Sequence, residues 1–164
     1  MNADYFRTVF GQMYWARDKV LAAAEGLSQE EYEKPNGFTY RSIRGILTHC
    51  LSGESNWMAR VRGDAPAFVR EDDVPTVAAL RERWGQEESK ARAYLDKLSD
   101  ADLDGSVTFT GRDGNERTLT VWHILELVHH HTIQHRSEAA EALTMAGRSP
   151  GDLDFIVYLN SLRS

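Results

Sequence analysis

The sequence predicts an all-α fold, a four-helix bundle with a small β-hairpin before the fourth long helix. Three observations carry this. Four long segments repeat apolar residues at spacings of three and four, breakers such as Pro35, Gly37, Gly63 and Pro75 separate them, and one short stretch changes to period two. With 164 residues, 41% of them hydrophobic, the chain is long enough to bury a core, and one domain over 1–164 is expected.

The first long helix is predicted from about Asp4 to Gly26, on Phe6, Val9, Phe10, Met13, Val20, Leu21 and Ala24. Ser28 and Glu31 have capping-box spacing and predict a short helical turn over Leu27 to Tyr32, ahead of the breakers Pro35, Asn36 and Gly37. A second long helix is predicted from about Tyr40 to Arg62, on Ile43, Ile46, Leu47, Cys50, Trp57, Met58 and Val61, with Gly63 as its stop. After a polar connection from Asp64 to Pro75, Thr76 caps a third helix that runs through Val77, Leu80, Trp84, Ala91, Tyr94, Leu95 and Leu98. Ser99 to Leu103 repeats the cap-like wording of the first loop. Ser106 to Thr110 and Arg117 to Val121 flank a glycine-containing turn and predict the hairpin. The fourth helix spans about Val121 to Ala146. Gly147, Pro150 and Gly151 end it, and Leu153, Phe155, Ile156, Tyr158 and Leu159 form a last apolar segment expected to dock on the bundle.

The chemistry concentrates in HHHTIQHR, residues 129–136, which holds four of the six histidines. A helix turns about 100° per residue, so His131 and His135 stand one above the other. They share a stripe with Val121, Ile124, Leu125, Val128, Ala139 and Ala142, which points the pair inward. His123, His129 and His130 fall on the flank or surface. Two inward imidazoles one turn apart suit a divalent metal ion, although inward histidines also occur as satisfied core residues. Thr132 stands where a zinc protease helix carries the Glu of HExxH, so that chemistry is excluded.

A catalytic zinc ordinarily has three protein ligands. His49 is the one histidine outside the hairpin-to-fourth-helix segment, and if the third ligand is a histidine on another helix, it is His49. A carboxylate such as Glu54 is the alternative, with a solvent-facing or supporting position behind the ligands as its other readings. Glu138, three residues beyond His135, is placed to accept the second ring N–H of a ligating imidazole. Met13, Tyr14, Trp57 and Trp122 are candidate pocket walls and equally candidate core residues.

The formal net charge of −6 and pI near 5.5 exclude the basic stripe that nucleic-acid binding requires. No apolar run approaches a membrane span, and MNADYF opens without a signal-like flank, so a cytoplasmic protein is expected. Cys50, the single cysteine, reads as a small buried hydrophobe.

Several separated words resemble the DinB (damage-inducible) family of metal-binding four-helix bundles: MYWARDKV, YRSIRGILTHCLSGESNWMARVRG, VPTVAALRERW, LSDADLDGSVTFT, VWHILELVHHHTIQHR and LDFIVYL. The family's HxxxHRGQ is similar to the stretch carrying His131, His135 and Arg136, and its LxHxxxxE to the stretch carrying His49 and Glu54. The resemblance implies metal ligands His49, His131 and His135, a zinc or nickel cofactor, and a homodimer. It further implies thiol-dependent S-transfer, in which a low-molecular-weight thiol attacks a small electrophile. A metal-dependent hydrolase and a non-catalytic metal-binding bundle of a stress response are the alternatives. Ser137 and Glu138 replace the usual Gly-Gln, and His130 replaces a common Asn. These departures touch the surroundings of the site more than its ligands.

Overall fold

A computed structural model describes residues 2–40, 42–66, 68–111 and 113–163. The long helices are α1 (Ala3–Ala24), α3 (Ile43–Arg62), α4 (Val77–Lys97) and α5 (Val121–Met145). Shorter elements are α2 (Gln29–Glu33), two 3₁₀ turns (Glu71–Asp73 and Ala101–Asp104), strands β1 (Ser106–Thr110) and β2 (Glu116–Thr120), and α6 (Phe155–Ser161). Both α4 and α5 pack against α1 and α3, so α1 and α3 lie on one diagonal of the bundle and α4 and α5 on the other.

Caps fix the helix starts. Asn2, Ser42 and Thr76 each accept from the backbone N–H three residues on, and Ser28 and Glu31 form the expected reciprocal capping box. The second long helix begins three residues later than its apolar spacing predicts, because Ser42 caps it and leaves Tyr40 in the preceding loop. Gly45 lets that loop come close: a Cβ there would overlap the Tyr40 carbonyl oxygen. Gly63 ends α3 at φ +76°, a left-handed conformation suited to glycine.

Two apolar clusters fill the interior. One gathers Val20, Leu21, Leu47, Cys50, Leu51, Leu80 and Leu143, and the other Phe6, Phe10, Met13, Met58, Leu95, Leu125 and Val128. Buried polar side chains, Arg17, Glu54 and Arg136 among them, accompany these apolar cores.

The hairpin is antiparallel with Val107 opposite Leu119, and Val121 begins α5 rather than ending the strand. Its N–H donates to the Gly105 carbonyl at 2.8 Å, which ties the hairpin's base to the start of α5. The hairpin's other end rests on α3 through Phe109, whose ring meets Trp57 edge-on at 5.1 Å. The C-terminal segment docks through α6, where Tyr158 is buried over Gly11 and the Leu153 carbonyl accepts from Gln12. Phe155 and Ile156 stay exposed.

Candidate metal centre

His49 reaches the seam between α3 and α5 from α3, and His131 and His135 from α5. One ring nitrogen from each lies within 4.8 Å of the others, a grouping that can hold a metal ion. The ring centroids are 4.9 Å apart for His49 and His131, 4.6 Å for His49 and His135, and 4.5 Å for His131 and His135. Nε2 of His131 stands 3.1 Å from Nε2 of His49.

Local sequence explains the convergence. The i, i+4 spacing stacks His131 and His135, and Gly53, one turn after His49, opens the groove that His131 enters. A Cβ at Gly53 would overlap the His131 ring. Tyr40, left in the loop by the late start of α3, stacks on His49 at 3.8 Å with an interplanar angle of 16° and meets His135 edge-on. Tyr40 was not legible as a site residue, since its position depends on where the helix begins.

The residues fit a metal ion on several counts. His135 Nδ1 is 2.7 Å from Glu138 Oε2, the carboxylate–imidazole contact that fixes a ligating ring and leaves Nε2 toward the cluster. Burial, followed by the neighbouring His135 and His49, pushes His131 down to about 4, so its ring is neutral and electron-donating at ordinary pH. His131 Nδ1 is buried without a hydrogen-bond partner among the described residues.

The inward pointing of the pair divides unequally. His135 is buried, whereas His131 is half-buried because it faces a cavity of about 790 Å³ between α3, the hairpin and α5. That volume falls within the range of small-molecule sites. His49, Trp57 and Leu127 also line it. Of the candidate walls, Trp57 alone stands there. Met13 and Tyr14 are core residues, and Trp122 packs beside His123 at 3.8 Å, near Asp100 and Leu103 rather than the cluster. His123 and His130 are exposed as expected, while His129 is half-buried beside Glu126.

Glu54 is not solvent-facing. Its side chain is 1% exposed, with Oε1 accepting from the Tyr14 hydroxyl at 3.0 Å and Oε2 from Trp84 Nε1 at 2.7 Å. The apolar positions 47, 51 and 58 share its helical face, a signal that would have placed it inward. Burial lifts its pKa to about 7, against the opposing effects of the Trp84 hydrogen bond, Arg17 and Tyr14. Arg17, buried alongside, pairs with Glu88 and lies over the Tyr14 ring. Arg136 turns away from the cluster and donates to the carbonyls of Met13 and Thr132. Cys50 is fully buried and its thiol is pushed up by that burial, so it is no nucleophile.

The sequence model of the DinB superfamily matches residues 12–139, a span that contains all three clustered histidines and most of the bundle. The search of curated proteins returns no match to the chain. On the extent of the family match, the chain belongs to the DinB superfamily.

Proposed function

We propose that this DinB superfamily member is a metal-dependent enzyme that transfers a low-molecular-weight thiol to a small electrophile. The observation that carries the proposal is the convergence of His49, His131 and His135 beside a ligand-sized cavity. A zinc or nickel ion held by the three rings would supply positive charge that favours the deprotonated form of a thiol or water.

The chain's own residues lack the free base of protease-type water activation, which favours the thiol reading over that one. Thr132, next to His131, is fully buried and donates to the His129 carbonyl, so it offers no base. Glu138 is engaged with His135, and Asp113, which also lines the cavity, is paired with Arg117. Water activation draws on a general base to take a proton during attack. A thiol that has already released its proton to solvent needs none: its sulfur bonds to the electrophilic atom as the leaving group departs with the bonding pair.

The test incubates metal-loaded protein with a panel of small thiols and a chromogenic electrophile, beside the His49→Ala variant. Thiol-dependent turnover in the parent alone supports the reading. Metal-dependent cleavage of a simple ester or amide without thiol turnover replaces it with a hydrolase. Neither reaction, with metal bound, leaves a non-catalytic metal-binding bundle.

We further propose a homodimer. Tyr5, Ile133, Phe155 and Ile156, all exposed, supply apolar surface on α1, α5 and α6. A monomeric mass in light scattering at micromolar protein would overturn it. No helix among the described residues is long and apolar enough to cross a membrane.

A further inference from the structure

Beyond the histidines, the cavity has a second polar end. His49, Gly53, Asn56 and Arg60 follow one another at spacings of four, three and four, so they form a single stripe along α3, and all four line the cavity. The Arg60 guanidinium packs against the Trp57–Phe109 pair, its central carbon 4.9 Å from the centroid of Trp57 and 5.1 Å from that of Phe109. It donates through Nη1 to the Asn56 carbonyl at 3.0 Å, while its Nε is buried without a partner among the described residues. No carboxylate among the described residues comes within ion-pairing distance of it. The neighbouring cation, Arg117, is paired with Asp113.

Asn56 is 8% exposed, and its Oδ1, an acceptor, is also buried without a partner among the described residues. Two successive positions of the stripe thus carry unsatisfied polar atoms, and such groups are costly unless a ligand or water completes them. An Arg packed against aromatic rings, with Nε uncommitted and the acid of the same lining, Asp113, paired with Arg117, is arranged for a planar anion.

We infer that Arg60, at the end of the cavity away from the histidines, binds the carboxylate of an elongated small molecule whose other end lies at the histidine cluster. The eleven residues from His49 to Arg60 correspond to roughly 16 Å of helix, shortened by the lean of the Arg60 side chain back toward the helix start. Trp57, Phe109 and Leu127 line the space with apolar surface, which suits an apolar or aromatic middle section. The placement of the thiol at the histidines rests on the function proposed above. The anion subsite rests on Arg60 alone.

The experiment separates the two. Calorimetry compares 4-phenylbutyrate with 4-phenylbutanol on metal-free protein, and 8-mercaptooctanoate with 8-mercaptooctanol on both metal-free and zinc-loaded protein. The parent protein is expected to prefer each acid over its alcohol by about tenfold or more, as a charge-assisted hydrogen bond provides. Arg60→Met should abolish the preference without weakening the alcohols, and Arg60→Lys should restore part of it. Zinc content and helical circular dichroism of both variants should match the parent. Arg117→Met, at the paired cation, should keep the preference. Equal affinity for acid and alcohol in the parent overturns the subsite, and so does a preference that survives Arg60→Met. An acid preference in the phenyl pair with no gain for the thiols on zinc loading keeps the subsite and removes the thiol.

Discussion

His49 and Glu54 stand five residues apart on α3, roughly 140° apart around its axis, and they serve opposite sides of the helix. On the Glu54 side, both carboxylate oxygens are used, by Tyr14 and Trp84, and Arg17 and Arg136 find carboxylate or carbonyl partners, with Arg17 Nη1 left unpartnered among the described residues. On the His49 side, imidazole nitrogens face one another, His131 Nδ1 lacks a partner, and the rings border open space. Two polar groupings on one helix thus differ in saturation. The more fully paired one holds helices together, and the other turns ring nitrogens toward one another beside open space.

That contrast is broken most severely by removing a ring. His135→Ala is expected to abolish metal binding, because the variant retains two ligands and loses the ring anchored by Glu138. His129→Ala should retain a full complement of metal, since that ring is outside the cluster. Elemental analysis of the two purified variants after dialysis decides it. Metal retained in His135→Ala at the parent level would mean that the cluster is not the site.

Backbone space is the next lever. Gly53→Ala places a methyl group where the His131 ring sits, so the ring must move off its position over α3. Metal affinity should fall well below that of the parent while the fold is kept, as read by competition with a chromophoric chelator beside circular dichroism. Glu138→Ala acts more mildly, by releasing the His135 ring without changing the ligand set. Loss of such a supporting carboxylate ordinarily costs about 10- to 100-fold in metal affinity. The same titration should rank Gly53→Ala and Glu138→Ala between the parent and His135→Ala.

The sequence made one side of this contrast more legible than the other. His131 and His135 announce themselves by spacing alone, and the apolar stripe around them gives their facing. His49 could be reached by elimination only on the assumption that the third ligand is a histidine. Its pairing with the other two depends on how α3 lies against α5, and the family resemblance supplied that. Tyr40 and Arg60 were missed for different reasons. Tyr40 reaches His49 because a cap makes the helix start late, and Arg60 matters only because the hairpin brings Phe109 over it. Glu54 was misjudged because a glutamate in an amphipathic helix is ordinarily solvated, and only the partners on α1 and α4 make its burial tolerable. The bundle itself was read almost whole, since caps, glycine stops and helical periodicity are local properties of the chain.

The smallest expected effect sharpens the comparison from the Glu54 side, through pH. A carboxyl whose pKa rises from 4.5 to about 7 on folding binds its proton more tightly in the native chain than in the unfolded one. Below pH 4.5 both states carry the proton and the linkage contributes its full share. Between pH 4.5 and about 7 the unfolded chain releases the proton first, so this group's contribution to stability declines as pH rises, and above about 7 it is level again. Glu54→Gln keeps an acceptor for Tyr14 or Trp84 but carries no titrating proton. The difference in unfolding free energy between parent and variant should therefore shift across that window in favour of the variant, by on the order of 3 kcal/mol. Urea melts of metal-free protein at half-unit pH steps measure it, and subtracting the variant's profile removes the other titrating groups from the comparison. A difference that stays constant from pH 4.5 to 7 would mean that Glu54 is already ionised in the native bundle, with the charges of Arg17 and Arg136 holding it so. The saturated side would then be an ion network rather than a set of hydrogen bonds around a neutral acid. Metal content should be the same in parent and variant throughout, because no Glu54 oxygen belongs to the histidine cluster.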